Sequence, residues 1–354
     1  MKNKKAFGDP MLICGGGLAT SVPDFALRNM PELDAVVVGE GEVTALEIAE
    51  GKPLSSLPGI ITKDRAVAVP RQLIPRLDDL PFPDYNKLPL DVYLRNHIWG
   101  RDASNSSGIF YEAKRSLNMI VSRGCTHSCG FCYHGIWWKK YRLRSVDNVM
   151  QEIHSLKRKH DIDFIGFVDD NTIADRSWTI DFCKSLIDME LDIHWGCHAR
   201  VDQVDYEKLE LMRASGCEYV GFGIESASPY ILKRMDKRAD PIQAEKAISL
   251  VRQLGMWANG TFICGYENEK KEDLAATATF MRDNDMLGSM FYATHYPGTQ
   301  VYTKVKDKIL SVYKSEDAYI KSLGDATEFK VNISAMSDSD LHCYRERAIR
   351  GTQF

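Results

Sequence analysis

Apolar positions follow two rhythms along the chain. Between residues 116 and 295, short apolar runs alternate with longer stretches whose apolar residues recur at helical spacing. The runs predict strands at Leu117–Val121, Phe164–Val168, Ile193–Cys197, Tyr219–Ile224, Ala258–Cys264 and Met290–His295. Between the first two, Val146, Val149, Met150, Ile153 and Leu156 fall at i, i+3, i+4, i+7 and i+10, the core stripe of one helix. Asp240-Pro241 supplies an N-cap with proline at N1 for a second helix. Ala244, Ala247, Ile248 and Val251 keep its period, and Gly255 can close it. Strands alternating with helices predict parallel pairing through right-handed crossovers. Only 59 residues follow His295 (354 minus 295), with no clear further strand–helix pairs. The expected fold class is therefore α/β, with a partial (β/α)6 parallel barrel rather than a closed eight-stranded one.

Upstream the rhythm is shorter. Leu12–Cys14 and Ala35–Val38 read as buried strands, Gly15–Gly17 as a tight turn and Glu42–Glu50 as a short helix. Ten of the 13 prolines precede residue 90, and the stretch Pro70–Pro89 is turn-rich and mostly extended. The expected division is a partial α/β fragment over 1–75, a Pro-rich linker and loop over 76–115, the barrel core over 116–300, and a C-terminal helical extension over 301–354.

Composition narrows the function classes. The chain is 44% hydrophobic and 27% charged, which is ordinary for a globular protein. With 45 basic and 49 acidic residues the net charge is −4, so no global attraction to nucleic acid or anionic membrane follows. No apolar run approaches the roughly 18–20 residues that span a bilayer. The basic start, Met1–Lys5, leads into Gly8-Asp9-Pro10, where a signal peptide would need an apolar core. A cytoplasmic protein without membrane or nucleic-acid partners is expected.

Nine cysteines are too dilute for a disulfide scaffold, and their number is odd. Three of them, Cys125, Cys129 and Cys132, lie within eight residues directly after the first barrel strand. That is the C-terminal end of a parallel sheet, where active sites are built. Fifty residues separate Cys132 from Cys183, so no fourth thiol is close in sequence. Three thiolates would leave one iron of a 4Fe–4S cluster open to another ligand. A structural zinc site completed by His127 or His134 is the alternative, with chance clustering of free thiols a third reading.

The spacing Cys125-Thr-His-Ser-Cys129-Gly-Phe-Cys132 resembles the hallmark of the radical S-adenosylmethionine enzymes, including Phe131 before the last cysteine. Further motifs follow in order: Asp169-Asp170-Asn171 after the second strand, Ala199-Arg200 after the third, and Gly221-Phe-Gly-Ile-Glu225-Ser226 along the fourth. Gly260-Thr-Phe-Ile263-Cys-Gly265 occupies the fifth strand, and Tyr296-Pro-Gly-Thr299 follows the sixth. Two depart from the family pattern: Asp169-Asp170-Asn171 stands where Gly-Gly-Glu is frequent, and Ala227 replaces a glycine. The resemblance implies a 4Fe–4S cluster on the three cysteines and S-adenosylmethionine at the open iron. It also implies a 5′-deoxyadenosyl radical that abstracts hydrogen from an unactivated carbon of a small-molecule or natural-product substrate. Phe131, Asp169, Arg200, Glu225, Ser226 and Ile263 are the implied cofactor contacts, with flavodoxin or ferredoxin as the implied electron donor. His198 and His295, at predicted strand ends, are candidates to face substrate.

Structural readings stand beside these. Glu225 could pair with Arg200, Asp169 and Asp170 could cap the next helix, and Cys264 could pack as a small hydrophobe. The basic run Lys139–Arg144 reads as a solvated face leading into a helix capped by Ser145.

Residues 11–90 resemble the end of the cobalamin-binding domain that precedes the barrel in one radical subgroup. The matching stretches are Cys14–Thr20, Asp34–Glu42 and Leu77–Asp84. The early strands of that doubly wound domain would precede Met1. Either the sequence begins at an internal methionine of a longer protein, or this is a short form without cobalamin. With cobalamin, methyl transfer leads; without it, radical oxidation, cyclisation or rearrangement. A methylthiotransferase acting on RNA and a zinc-stabilised binding protein are the rival readings.

Overall fold

Short runs of β-branched and small apolar residues build the N-terminal sheet. The computed structural model describes residues 8–65, 67–95, 111–134 and 140–352. They form two compact units: the chain up to Pro75 with His295–Leu323, and Arg76–Thr294 with the chain from Gly324 onward.

In the first unit β1 (Ile13–Cys14) lies parallel to β2 (Ala35–Val37), and β3 (Ile60–Ile61) pairs antiparallel to β2. Ala35, Val36 and Ile60 are fully buried. Gly16 turns the chain with φ 90°, a conformation that costs glycine little, and Gly17 already opens a helix. The crossover carries two short helices, Gly17–Ser21 and Pro23–Asn29, ahead of the expected one, now Glu42–Ala49. Two later helices, Gln300–Tyr313 and Glu316–Ser322, complete this unit. Arg28 and Asn29 each donate to Asp317 at 2.7 Å.

The second unit contains all six expected barrel strands as one parallel sheet. They are β4 (Ser116–Met119), β7 (Phe164–Phe167), β8 (His194–Ala199), β9 (Cys217–Glu225), β10 (Trp257–Cys264) and β11 (Met290–Tyr292), in the order β11-β10-β9-β8-β7-β4. The sheet curls into a half-barrel. Leu117, Ile165, Phe167, Trp195, Cys197, Val220, Phe222 and Phe262 pack with the helices in one core. Within it Phe167, Phe182 and Trp195 meet edge-on at 5.5–5.7 Å. Strand alternation turns Gly166, Gly196, Gly221 and Gly223 to the opposite face. The helix Val146–His160 starts where Ser145 accepts the Asn148 N–H at 3.2 Å. Asp240 caps Pro241–Gln253 in the same way, and Gly255 follows its end with φ 75°.

The basic run before Ser145 is not a solvated face. Lys139 lies outside the described residues, but Arg142 and Leu143 form β6, antiparallel to β5 (Ser122–Arg123). Arg142 is buried, and Arg144 pairs with the covered Glu152 at 2.6 Å and lies 5.4 Å from the Phe82 ring centroid. This cation borders a cleft of about 320 Å³ between the Leu77–Tyr85 segment and the end of β4. The helix Asp338–Arg350 packs against Lys271–Asp283, and Arg345 donates to the Met290 carbonyl at 2.8 Å. Among the described residues no helix is long and apolar enough to cross a membrane.

Candidate functional site

Parallel strands present their C-terminal ends together, so the loops after β4, β7, β8, β9 and β10 converge on one mouth. The cysteine loop follows β4 and β5, and its three cysteines are partly buried and in no disulfide. It is tied at both ends. Upstream, one oxygen of Asp169 accepts the Val121 N–H at 2.9 Å, the Ser122 hydroxyl at 2.7 Å and the Ser122 N–H. Downstream, the Gly130 N–H donates to the Met235 carbonyl at 2.8 Å, beyond β9. Within the loop the Cys132 N–H donates to the Cys129 carbonyl at 3.0 Å. Phe131 meets Tyr266, just past β10, edge-on at 6.4 Å. Burial pushes the Cys129 thiol pKa up, opposed by the charges of Lys237 and Arg200.

The two histidines proposed as zinc ligands turn elsewhere. His127 contacts the Thr126 hydroxyl at 2.9 Å and lies 3.8 Å from Asp202, while His134 lies 3.0 Å from Asp170. Among the described residues no three His, Cys, Asp or Glu side chains gather as a single-ion site.

The loop after β7 supplies what a ligand at this mouth would meet. The second oxygen of Asp169 is buried without a partner, and burial raises the carboxyl pKa to about 6. Both side-chain polar atoms of Asn171, which is fully buried, and the Thr172 hydroxyl are likewise unpaired. A buried polar atom left unpaired costs about 1–3 kcal/mol, so such a group of four fits the polar end of a bound ligand. Neither Asp169 nor Asp170 caps the next helix: Asp175 caps Arg176–Asp188 by accepting the Trp178 N–H at 2.9 Å.

Glu225 does not pair with Arg200. Its carboxylate accepts from the Lys237 ammonium at 2.8 Å, and both side chains are buried. Arg200 donates instead to Asp202 at 3.0 and 3.2 Å and to the Lys237 carbonyl at 2.7 Å. Glu225 carries a left-handed φ of 69°, strain of the kind that collects at functional sites. Ser226 is fully buried, its hydroxyl shared with Thr277 at 3.1 Å and Ser228 at 3.1 Å. Ile263 is half-buried on β10, on the face opposite the helix-packed Phe262 and Cys264.

Of the two histidines, His198 exposes its ring beside Gly221, where an added Cβ would come within 2.6 Å of it. His295 is fully enclosed, both ring nitrogens unpaired, and burial lowers its pKa to about 4. Cys264 is buried as a small hydrophobe. Two residues at the mouth escaped the sequence reading. One is Lys237. The other is Glu269, which accepts the Gly265 N–H at 2.5 Å and whose pKa burial raises to about 8. The signal for Glu269 was an acid four residues past the glycine that ends β10.

Comparison with known proteins agrees with this geometry. Residues 119–281 match the radical SAM superfamily. An uncharacterized methyltransferase of Pyrococcus horikoshii is 32% identical over 300 residues, 82% of this chain and 62% of that protein. The anaerobic magnesium-protoporphyrin IX monomethyl ester cyclase of Rubrivivax gelatinosus is 28% identical over 321 residues, 86% of this chain and 55% of that protein. The chain thus spans less than two thirds of the length of these curated relatives. Among solved structures, the radical S-adenosylmethionine methyltransferase TsrM of Kitasatospora setae, with cobalamin and a [4Fe-4S] cluster bound, shares the fold. Its TM-score is 0.70 at 18% identity, over 87% of this chain and 62% of that one. Residues 119–281, with the cysteine loop at the mouth of a six-stranded half-barrel, are thus the part of the chain that matches the radical SAM superfamily.

Proposed function

We propose that the protein is a radical S-adenosylmethionine enzyme acting on an unactivated carbon of a small-molecule or natural-product substrate, with methyl transfer as its outcome. The observation that carries this reading is the anchored loop of Cys125, Cys129 and Cys132 beside the unpaired polar atoms of Asp169, Asn171 and Thr172. A 4Fe–4S cluster with S-adenosylmethionine supplies one-electron cleavage of a carbon–sulfur bond and hydrogen abstraction at carbon.

The chain's own residues then have distinct tasks. The three cysteines hold the cluster. The free oxygen of Asp169 and the amide of Asn171 accept and donate to the polar end of the cofactor. Phe131 and Ile263 offer apolar surface at the mouth, and Glu225 offers a carboxylate for hydroxyl groups. Arg200 and Ser226 hold the loops that carry these groups, through the Lys237 carbonyl and the Thr277 hydroxyl. The exposed His198, its ring close against Gly221, is the side chain that would face substrate.

Methyl transfer is supported by the methyltransferase relatives, and TsrM binds cobalamin. In this chain the Gly15–Gly17 turn at the end of β1 offers open backbone, with nothing within 4 Å of a Cβ added at Gly16. A cyclisation or oxidation without methyl transfer is the second reading, favoured by the cyclase relative. A flavodoxin or ferredoxin would deliver the electron, and the setting would be the cytoplasm.

The test is anaerobic reconstitution with iron and sulfide, followed by dithionite and S-adenosylmethionine and an assay for 5′-deoxyadenosine. Four irons per chain and nucleoside release, both lost in Cys129→Ala, are expected. A colourless protein holding one tight zinc would overturn the proposal. Cobalamin retained through gel filtration would support the methyl-transfer arm, and cobalamin lost in the wash would favour the second reading.

A further inference from the structure

Lysine is almost never fully buried unless paired. Lys237 is 6% exposed, and three hydrogen bonds hold it in place. Its ammonium donates to Glu225 at 2.8 Å, its N–H donates to the Leu232 carbonyl at 3.0 Å, and its carbonyl accepts from Arg200 at 2.7 Å. Gly223 leaves room for the pair: a Cβ there would lie 2.6 Å from the Glu225 carboxylate and 3.1 Å from the Lys237 ammonium. Glu225 itself accepts a left-handed backbone to reach the pair.

Stability alone does not account for this arrangement. A buried ion pair is often no more stabilising than apolar residues of the same volume. Its location offers a better reason. Two residues before Lys237, the Met235 carbonyl receives the Gly130 N–H, and Gly130 sits between Cys129 and Phe131 in the cysteine loop. Lys237 thus follows by two residues a backbone contact with that loop, and its pair with Glu225 lies under low-dielectric cover where fixed charges act strongly. Nearby fixed charge is also one of the levers a protein has on the reduction potential of an iron–sulfur cluster.

We propose that Lys237 and Glu225 form a charge couple that sets the reduction potential of the 4Fe–4S cluster held by the cysteine loop, Lys237 favouring the reduced cluster and Glu225 opposing it. The inference rests on the reading of Cys125, Cys129 and Cys132 as cluster ligands. Both residues are positioning residues in this role, acting on the cluster through its field.

The experiment is a redox titration of the reconstituted full chain, followed by electron paramagnetic resonance in the absence of S-adenosylmethionine, with iron per chain measured for every variant. Lys237→Met should move the midpoint to more negative potential and Glu225→Gln to more positive potential. The double variant should return towards wild type, and Lys237→Arg should keep the wild-type value. Should Lys237→Met fail to fold, Glu225→Gln, which removes charge at nearly constant volume, carries the sign test. Wild-type midpoints in the single variants at full iron content would overturn the charge couple, as would shifts of the same sign. A wild-type chain that assembles no cluster would overturn the parent reading and this inference with it.

Discussion

On the face of the half-barrel that meets the helices, Phe167, Phe182 and Trp195 stand in mutual edge contact, and Trp178 stacks on Phe182 at 5.2 Å. On the other face, strand alternation puts Gly166, Gly196, Gly221 and the exposed ring of His198 at neighbouring positions. The same strands thus serve two ends. One face is filled with aromatic volume and fixes the fold, while on the other the glycines let His198, Tyr219, Glu225 and Lys237 come close to the backbone, ahead of buried polar atoms without partners.

The difference can be broken or sharpened by substitution. Trp195→Ala should cost about 3–5 kcal/mol in urea unfolding, since it empties the densest part of the packed face. It also strands the Ser215 carbonyl, which now accepts from the indole N–H at 3.1 Å. A loss under about 1 kcal/mol would remove the basis for calling that face the structural one. Arg144→Met should cost about 3 kcal/mol by the same measurement, because Glu152 would remain buried without its partner. Arg144→Met/Glu152→Leu should recover most of that loss.

Glu269 tests the mouth by pH. Its pKa rises from 4.5 to about 8 on folding, so the folded chain holds the proton more tightly than the unfolded one between those values. Its contribution is most favourable below pH 4.5 and weakens by about 1.4 kcal/mol per pH unit up to pH 8. Glu269→Gln should flatten stability across that window, visible in thermal melts at several pH values. The smallest effect is expected at His198: His198→Asn should leave stability within about 0.5 kcal/mol of wild type. A larger loss would mean that the His198 ring is packed after all.

Much of this was legible in the chain. The barrel strands announced themselves because Phe164–Phe167 is buried on both faces and β10 alternates buried with half-buried residues. Ser145 and Asp240 marked their helices because a side-chain cap is a local event. The short helices at Gly17 and Pro23 were not visible, being shorter than the window in which helical periodicity registers. The ribbon of β5 and β6 was hidden because Arg142 and Arg144 look like surface residues until their covered partners are known. The cysteines were found by spacing alone. What Glu225 pairs with was not, since the choice between Arg200 and Lys237 depends on how the chain returns after β9.

The double tether of the cysteine loop has a consequence for how the protein is loaded with iron. Asp169 fixes the chain at Val121 and Ser122, and Met235 fixes it again at Gly130. Loop entropy grows with free length by about 0.6 kcal/mol per doubling, so a loop pinned at both ends has little left to lose when metal arrives. Cluster assembly should therefore meet a site already shaped in the metal-free chain, and cutting either tether should lower the iron retained per chain.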